Sequence, residues 1–269
     1  MRVAASPPVI LTIAGSDCSG GAGIQADLKT ITALGGYGMT AVTGVVAETP
    51  LVVSRIQLID AEVVHEQVKL LLDAYPMAAA KTGMLGGKEQ IEAVVSAWES
   101  SERSAKQVPL VVDPVMVATS GGRLLDEDAE EALVTRLFPH AALITPNLDE
   151  AAVLVGEKIT TRESMEHHAL ALSARHGCAV LLKGGHLSGD SVPDVLVSDG
   201  ELHWLEGRRI EGVHTHGTGC TYSAAIAAGL GNGLSMLDAV RQGKEFVTNA
   251  IATHLRWGEM EALNQTQGK

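Results

Sequence analysis

The chain has 269 residues, of which 46% are hydrophobic, and its formal net charge is −12 from 20 basic and 32 acidic side chains. This size and apolar content fit a single domain, residues 1–269, with peripheral tails before residue 9 and after residue 257. The acidic balance argues against nucleic acid or an anionic membrane as the main partner. An anionic ligand would therefore be held by local features, namely loop N–H groups, a few lysines and a metal ion.

The three cysteines, Cys18, Cys178 and Cys220, form no C-x-x-C pair. Their odd number and spacing argue against a disulfide framework and against a zinc site, so a reducing cytoplasm is the expected compartment. The apolar run at 9–14 is too short for a signal peptide. No window approaches ~18 uninterrupted apolar residues, so no membrane span is expected.

A glycine-rich loop follows the first predicted strand. Residues 8–14 are apolar and β-branched, which predicts a buried strand, and residues 24–34 have helical spacing. The loop between them, from Gly15 to Gly23, has the spacing of neither a P-loop nor a dinucleotide fingerprint. Its place between a strand and a helix predicts a ligand site at the carboxyl end of the strand, although an ordinary crossover has the same pattern.

Three further strands end at candidate residues. These strands, predicted at 39–46, 78–81 and 110–113, lead to Glu48, Met84 and Asp113, respectively. Glu48 either faces a ligand or is a solvated loop acid. Between the strands, apolar side chains recur at helical spacing and predict helices at 61–75, 88–98 and 129–137.

Asn147 and Glu150 follow the strand predicted at 142–145 and open the next helix. They lie one turn apart on one face, where their side-chain oxygens could hold a hydrated Mg²⁺ near phosphates. The same pair is equally a helix start, with Asn147 as the N-cap and Glu150 as its capping-box partner. The two residues alone leave both interpretations open.

The last third of the chain has one more strand end with a charged residue. That strand ends at Lys183, which either pairs with phosphate or is a surface lysine. The runs 194–198 and 201–205 flank an Asp-Gly turn and predict a hairpin. A long helix is predicted at 238–254, and the polar tail after it is expected to be partly loose.

The segment 214–221 is a glycine-rich turn that runs into a helix of small residues. The N–H groups of Gly217, Thr218, Gly219 and Cys220 have no partner inside the helix and lie at the positive end of its dipole. They predict an anion site for phosphate, at whose end the Cys220 thiol is favoured as thiolate. A helix that is simply capped by Thr218 has the same pattern.

Alternating strands and helices predict a mostly parallel sheet covered on both faces, with the ligand loops together at its carboxyl edge. Nearly every candidate residue falls at such an edge. Acids, a lysine and an anion cradle are what phosphoryl transfer requires, because its catalysis is mostly positioning and charge neutralisation.

Seven motifs, in order, are typical of one family. They are AGSD at 14–17, SGGAGIQADLK at 19–29, KTGM at 81–84, DPVM at 113–116, TPNLDEA at 145–151, KGGH at 183–186 and HGTGCT at 216–221. With them the chain resembles the hydroxymethylpyrimidine and phosphomethylpyrimidine kinases of thiamine biosynthesis, which belong to the ribokinase-like superfamily. Some pyridoxal kinases of vitamin B6 salvage share this framework and are the nearest alternative.

The resemblance implies a ribokinase-like three-layer α/β sandwich with a mostly parallel central sheet and helices on both faces. It implies a cytoplasmic homodimer that uses ATP and Mg²⁺. The substrate would be 4-amino-5-hydroxymethyl-2-methylpyrimidine and then its monophosphate.

By resemblance, Gly217, Thr218 and Gly219 would form the anion hole for the transferred phosphoryl group together with Cys220. Cys220 would also take or polarise the proton of the substrate hydroxyl. The residues that would line the pyrimidine pocket are Gly15, Asp27, Val46, Glu48 and Met84.

The ATP and metal sites would share residues in the same resemblance. Lys183, Asp113 and Asn147 would bind ATP, and Glu150 and Asn147 would organise Mg²⁺ with Asp113 nearby.

Several positions depart from the family pattern. The family has Gln where Glu48 stands, and a carboxylate only accepts hydrogen bonds whereas an amide also donates. Glu48 would therefore need a protonated ring nitrogen or a raised pKa of its own. The family lysine near Thr119 is missing, so its contact to phosphate would either be weaker or be supplied by Arg123, and His214 replaces an Asn.

Two readings from other functional classes compete with a kinase. A cysteine hydrolase would pair Cys220 with His216 or His214, but the phosphate-type loops and the Asn147/Glu150 pair would then have no task. A protein that only senses a pyrimidine or nucleotide would need binding but not the transfer residues.

Overall fold

A sheet of nine strands lies at the centre of the part of the chain that the computed structural model describes, which is residues 6–101, 108–116, 125–185, 187, 189–213 and 216–266. Thr119, Arg123, His186 and His214, which the sequence analysis singled out, lie outside the described residues.

The strands lie side by side in the order β3 (Val52–Leu58), β2 (Tyr37–Thr49), β1 (Val9–Asp17), β4 (Met77–Thr82), β5 (Leu110–Val112), β6 (Leu143–Ile144), β7 (Ala179–Lys183), β8 (Asp194–Ser198) and β9 (Glu201–Leu205). The six central strands, β2 to β7 in this order, are parallel. β3 at one edge, and β8 and β9 at the other, pair in antiparallel fashion. The mostly parallel sheet predicted from the sequence is confirmed.

Helices cover both faces of this sheet. They are α1 (Gly23–Ala33), α2 (Ala61–Ala74), α3 (Lys88–Ser100), α4 (Glu127–Ala132), α5 (Leu148–Val155), α6 (Arg162–His176), α7 (Thr218–Gly231) and α8 (Met236–Ala252). Among the described residues, no helix has both the length and the apolar character needed to cross a lipid bilayer.

Alternation along the strands divides the core into two layers. Ile10 and Val111 pack against α7 and α8 on one face, while their neighbours Leu11 and Val112 pack into the larger cluster on the other face. Successive strand side chains point to opposite faces, so a strand that is apolar throughout must be covered twice. The result is the three-layer α/β sandwich that the resemblance implied.

Two predicted segments differ from the structure. The helix predicted at 129–137 is α-helical only to Ala132, followed by a π-helical turn and a 3₁₀ turn over Phe138–His140. Pro139 has no N–H to donate and so keeps a regular α-helix from continuing past Phe138, although it does not explain the change to a π-helical turn at Leu133.

The tail after residue 257 was expected to be partly loose, but the structure gives residues 258–266 a defined conformation. A hairpin of β10 (Leu255–Trp257) and β11 (Met260–Ala262) follows α8. After it, Leu263 and Gln265 are buried, and Gln265 Nε2 donates to the carbonyl of Gly21 at 3.1 Å. The polar composition of the tail did not reveal this contact with the loop after β1.

The order of the strands opens a crevice beside β1. From β1 the chain passes to β2 on one side and later returns to β4 on the other side. Loops that leave the carboxyl ends of β1 and β4 therefore diverge, which is where ligands bind in open α/β sheets.

Candidate active site

A cavity of about 680 Å³ lies at the carboxyl edge of the sheet. It collects side chains and loops from strands that are far apart in the sequence. The predicted site residues that line it are Gly15, Val46, Glu48, Met84, Asp113, Asn147, Glu150, Lys183, Gly217, Thr218, Gly219 and Cys220.

The N-terminus of α7 faces this cavity without a side-chain cap from the described residues. Gly217, which precedes the helix, has a φ of +84°, and a Cβ there would lie 2.0 Å from the carbonyl oxygen of Gly21. The alternative in which Thr218 caps the helix is therefore wrong. Among the described residues no side chain caps the first N–H groups of α7, and the predicted anion site at this helix start stays a prediction.

Asp113 and Lys183 stand next to this helix start. A Cβ on Gly219 would lie 3.3 Å from Asp113 Oδ2 and 3.5 Å from Lys183 Nζ. Lys183 Nζ donates to Asp113 Oδ1 at 2.9 Å, as does Thr145 Oγ1 at 3.0 Å. The close approach that Gly219 permits puts a positive charge beside the predicted phosphate cradle.

Both partners of this pair are charged. Burial raises the pKa of Asp113, but the charges of Lys183 and Lys81 outweigh it, so the pKa lies below its ordinary value. Burial lowers the pKa of Lys183, but Asp113 and Glu150 outweigh it, so this pKa lies above its ordinary value. Lys183 is not the isolated surface lysine that the sequence left open.

Asn147 and Glu150 form the capping box of α5. Asn147 Oδ1 accepts from the N–H groups of Asp149 and Glu150, each at 2.9 Å, and Glu150 Oε2 accepts from the Asn147 N–H at 2.9 Å. Glu150 Oε1 accepts from the Met116 N–H at 3.3 Å. The capping interpretation is thus confirmed as geometry, and both residues still face the cavity.

The hydrogen bonds that the carboxylate oxygens of Glu150 already accept limit how these oxygens could bind a metal ion. Burial raises the pKa of Glu150 to about 7, against the opposing charge of Lys183. Each carboxylate oxygen of Glu150 already accepts one backbone N–H and keeps one lone pair. Oxygen donors of this kind suit Mg²⁺, which keeps several of its own waters, so the residues fit a hydrated ion.

A second wall of the cavity is formed by Gly15, Val46, Glu48 and Met84. A Cβ on Gly15 would lie 2.6 Å from Met84 Cε, so only glycine leaves this methionine in place. The hydrogen bonds of Glu48 in the described part of the chain run through its backbone, and Cys18 Sγ donates to its carbonyl at 3.2 Å. Its half-buried carboxylate is thus available to a ligand.

The charge state of Glu48 is set by its surroundings. Burial, and then the negative charge of Asp17, raise the pKa of Glu48 above its ordinary value, while His216 opposes them. The sequence analysis required such a raised pKa, or a protonated ring nitrogen, at this position.

Asp27, predicted in the pyrimidine pocket, is not among the described residues that line the cavity. Its side chain is fully buried, and each of its carboxylate oxygens accepts a hydrogen bond from Lys81 Nζ at 2.9 Å. A carboxylate on the inner face of α1 requires a charged partner, and β4 supplies it. Lys81 was not predicted, because a lysine within a short strand carries no sign of burial.

Asp17 and His216 also belong to the cavity, although neither was predicted in the kinase site and His216 was named only as a possible partner of Cys220 in a hydrolase. Asp17 Oδ2 accepts from Ser19 Oγ at 2.9 Å, from the N–H groups of Gly21 and Ala22 at 3.1 and 2.8 Å, and lies 3.1 Å from His216 Nε2. These donors hold the pKa of Asp17 well below its ordinary value despite burial, which raises it. Asp17 therefore joins the loop after β1 to the loop before α7.

Asp17, Glu48 and His216 are close enough to share a cation, with all three candidate ligand atoms within 4.8 Å. Asp17 Oδ2 is already occupied by Ser19 Oγ, by the N–H groups of Gly21 and Ala22 and by the contact with His216 Nε2, so it has little capacity left for a metal. His216 bonds Asp17 rather than Cys220. That geometry disfavours the cysteine hydrolase that would pair Cys220 with His216, whereas His214, the other histidine considered, lies outside the described residues.

Cys220 lines the cavity, and its side chain is partly exposed. Burial raises the pKa of its thiol to about 11, although Lys81 and the Gly23 N–H favour the thiolate. The thiolate expected at the start of α7 is therefore wrong for the free protein. The N-terminus of a helix does stabilise a thiolate, but here desolvation is the larger effect.

The far end of the cavity was not predicted at all. Lys244 Nζ donates to Asp194 Oδ2 and to the Val192 carbonyl, both at 2.7 Å, and the apolar side chains of Val247 and Ile251 lie beside them. This end has the apolar surface that a flat heterocycle needs. A lysine and two aliphatic residues on a long helix give no signal of this kind in the sequence.

Comparison with known proteins identifies relatives over nearly the whole chain. The sequence profile of the phosphomethylpyrimidine kinase family matches residues 17–264. A hydroxymethylpyrimidine/phosphomethylpyrimidine kinase of Streptomyces coelicolor is 44% identical over 246 residues, which are 91% of this chain and 89% of that protein.

Solved structures show the same fold. The ADP complex of Bacillus subtilis pyridoxal kinase is similar with a TM-score of 0.88 and 35% identity, covering 97% of this chain and 98% of that one. A phosphomethylpyrimidine kinase from Clostridium difficile is similar with a TM-score of 0.79 and 36% identity, covering 91% of this chain and 99% of that one.

Proposed function

The chain belongs to the phosphomethylpyrimidine kinase family, and on that premise we propose that it is an ATP-dependent kinase of thiamine biosynthesis. Its substrates would be 4-amino-5-hydroxymethyl-2-methylpyrimidine and the resulting monophosphate. One observation supports this most: the uncapped N-terminus of α7 lines the same cavity as the wall with Glu48 and Met84 and the Asp113–Lys183 pair. An acceptor ring on one side and a nucleotide on the other would meet at that helix start.

The reaction makes one P–O bond and breaks another. The hydroxymethyl oxygen attacks the γ-phosphorus, the bond from that phosphorus to the β–γ bridging oxygen breaks, and ADP leaves. The N–H groups of Gly217 to Cys220 would hold the charge on the transferred group. As a thiolate formed by loss of its own proton to solvent, the Cys220 sulfur would take the hydroxyl proton and become a thiol again; as a neutral thiol it would only polarise the O–H bond.

ATP would occupy the side of the cavity opposite Glu48. Lys183, beside Gly219, would pair with its phosphates, and the apolar end near Val247 and Ile251 would receive its base. Glu150, Asn147 and Asp113 would hold Mg²⁺ through its waters, and that ion would neutralise phosphate charge. Because Asp113 is ionised beside Lys183, the pair orients the lysine toward the helix start.

The acceptor ring would lie against Met84 and Val46 with Glu48 at its edge. A carboxylate binds well to an amine beside a protonated ring nitrogen, since both groups donate. Pyridoxal is the alternative acceptor, and the similarity to a pyridoxal kinase structure keeps it in the test.

A homodimer in the cytoplasm completes the proposal. Leu51, Val52, Val53 and Ile56 on and before β3 are each at least 41% exposed, at an edge of the sheet. Contiguous exposed apolar side chains of this kind suit a protein interface. The cytoplasmic location follows the use of ATP and the unpaired cysteines, and it stays a prediction.

The test is an ATP-to-ADP assay with the purified protein. The pyrimidine, its monophosphate and pyridoxal are offered separately with Mg·ATP. We expect turnover on the pyrimidine, continuing to the diphosphate. Turnover on pyridoxal alone would move the protein to vitamin B6 salvage, and no turnover on any acceptor would contradict the proposal.

Cys220→Ala tests the role of the thiol in the same assay. We expect a loss of at least about 100-fold in kcat, the usual range for removing a group that transfers a proton. Cys178→Ala is the matched control, because Cys178 lies outside the cavity lining and should leave kcat unchanged. Full activity of Cys220→Ala would exclude a catalytic thiol.

A further inference from the structure

The C-terminal segment 258–266 reaches the loop after β1 and the first turn of α7 through one side chain, that of Gln265. Leu263 and Gln265 are each only 1% exposed, and the Asn264 N–H donates to the Ala250 carbonyl of α8 at 3.1 Å. These contacts seat the segment on the body of the protein. A buried side-chain amide requires hydrogen-bond partners, because its desolvation is otherwise uncompensated.

The partners of Gln265 belong to two segments that are far apart in the sequence. Its Nε2 donates to the Gly21 carbonyl, in the loop after β1, at 3.1 Å and to Thr221 Oγ1, in the first turn of α7, at 3.3 Å. A side-chain amide has two N–H groups, so a single amide serves both acceptors. Thr221 is fully buried. The amide therefore connects the loop to the helix inside the protein.

The carbonyl that Gln265 binds also touches the residue before α7. A Cβ on Gly217 would lie 2.0 Å from the Gly21 oxygen, so these two backbones are in direct contact. In the chain, residues 217–220 run from this contact to Thr221. Gln265 thus holds the segment of the predicted anion site from both ends, through Gly21 at its beginning and through Thr221 at its end.

Packing of the tail alone does not require an amide at position 265. An apolar side chain such as that of Leu263 seats a chain in the interior at a lower cost of desolvation. Hydrogen bonds add direction, because a donor fixes the distance and the angle of its acceptor. Stabilisation of a transferred phosphoryl group by backbone N–H groups depends on where these groups point.

We propose that Gln265 is a positioning residue for phosphoryl transfer. It holds the Gly21 carbonyl and the first turn of α7 so that the N–H groups of residues 217–220 stay aimed at the transferred group. The inference rests on the proposed function of the α7 start. Gln265 is not among the described residues that line the cavity, so it acts through Gly21 and Thr221 and not on a substrate.

Gln265→Met tests this role in the kinase assay. The variant removes both donors and keeps an unbranched side chain of similar length. We expect kcat with Mg·ATP and the pyrimidine to fall at least about fivefold, because a displaced anion site loses transition-state stabilisation. KM for both substrates should stay within twofold of the wild type, since Gln265 touches neither.

A second buried glutamine provides the matched control. Gln90 on α3 is 6% exposed, and its Nε2 donates to the Ile59 carbonyl at 3.0 Å; neither residue is among those described as lining the cavity. Gln90→Met removes the same kind of hydrogen bond and should leave kcat unchanged. An equal fall in kcat for both variants would reflect a general loss of stability and would overturn the proposal.

Hydrogen–deuterium exchange of the protein without substrates, read by mass spectrometry, locates the effect. In Gln265→Met we expect peptides that cover 18–22 and 216–221 to exchange at least about threefold faster than in the wild type, while peptides of α3 are unchanged. In Gln90→Met the exchange of 18–22 and 216–221 should match the wild type. Unchanged exchange in these two segments of Gln265→Met, or faster exchange with a wild-type kcat, would overturn the proposal.

Gln265→Glu gives a readout that a folding defect does not imitate, and it serves if Gln265→Met does not fold. An ionised carboxylate cannot donate to the Gly21 carbonyl, whereas a protonated one donates a single hydrogen bond. We expect kcat of this variant, as a fraction of the wild-type kcat at the same pH, to rise at least about threefold from pH 9 to pH 6. A low fraction that does not change with pH would contradict the role of the donor.

Failure of the proposed function and failure of this inference give different results. If the wild-type protein phosphorylates none of the acceptors, the proposed function fails, whereas the exchange rates still decide whether Gln265 holds the two segments. If the wild type is active and both variants at position 265 keep its kcat, the proposed function stands and the role of Gln265 is refuted.

Discussion

At the scale of single residues, Glu48 brings a carboxylate into the cavity next to the charged pair of Asp17 and His216. Its side chain is available to a ligand, and burial and Asp17 raise its pKa. An aminopyrimidine bound by this carboxylate must share one proton with it, either on the ring nitrogen or on Glu48. Binding should therefore weaken as pH rises and that proton is lost.

Glu48→Gln tests this sharing. The amide donates and accepts hydrogen bonds without a titrating proton. In the variant we therefore expect KM for the pyrimidine to be independent of pH between pH 6 and 9, whereas the wild-type KM rises with pH. Initial rates at several pH values give the KM of the variant and of the wild type. Glu62→Gln, an exposed change of the same charge on α2, should behave like the wild type. Identical KM values and pH profiles for Glu48→Gln and the wild type would refute the role of Glu48.

Other residues show what a sequence can disclose about a site. Asp113, Lys183 and Cys220 were predicted to meet because parallel strands end at one edge, and they line one cavity. The pKa of Cys220 was predicted in the wrong direction, because desolvation depends on neighbours that no local pattern reveals. The bond from His216 to Asp17 spans 199 residues and equally has no local signal.

At the scale of elements, the start of α7 depends on one glycine. Gly217 combines a φ of +84° with contact to the Gly21 carbonyl, where a Cβ would lie at 2.0 Å. Gly217→Ala should therefore displace the helix start, with a loss of more than tenfold in kcat and about 2 kcal/mol in the free energy of unfolding.

The control for this change lies at the other end of α7. Gly233 has a φ of +85° but no heavy atom within 4 Å of its Cβ position. Gly233→Ala thus adds the same backbone strain without the clash, and it should lower stability while kcat stays near wild type. Urea unfolding and steady-state kinetics give both quantities. Equal kcat values for the two variants would show that the contact with Gly21 does not position the helix.

The contact between the two loops that Asp17 and His216 join depends on the protonation of His216. The hydrogen bond to Asp17 raises the pKa of His216 above its ordinary value, despite burial. Because the pKa of His216 is higher in the folded than in the unfolded state, its protonation stabilises the fold. This contribution is complete below about pH 6.5 and is lost as pH rises through the folded-state pKa. The stability difference between wild type and His216→Gln should therefore be larger at pH 6 than at pH 9.

Urea unfolding at both pH values measures that difference. His167→Gln, on the exposed side of α6, is the control and should show little difference from wild type at either pH. A His216→Gln effect that is equal at pH 6 and pH 9 would mean that the contact with Asp17 does not depend on the proton.

At the scale of the whole molecule, the parallel strands at the centre of the sheet could be predicted from the sequence, but what covers the edge strands could not. The apolar runs within 110–113 and 180–183 predicted buried parallel strands, and the structure has strands at Leu110–Val112 and Ala179–Lys183, whose two faces are both covered. The antiparallel edge strand β3 carries exposed apolar side chains, and nothing in its sequence says whether a second chain covers them. An oligomeric state is a property of a surface, which only the folded chain defines.

The exposed edge makes a prediction about assembly. Val52 and Val53, on β3, are 61% and 52% exposed, and a monomer would leave them in water. If two copies bury this strand, Val52→Lys/Val53→Lys places charges in an apolar interface and should give a monomer by sedimentation velocity. Leu70 is 66% exposed on α2, and Leu70→Lys is the control that should leave the assembly intact.

Because β3 also lines the cavity, KM values of the monomeric variant would show whether the second copy helps to close the site. A wild-type protein that sediments as a monomer at micromolar concentration would remove the dimer from the proposal.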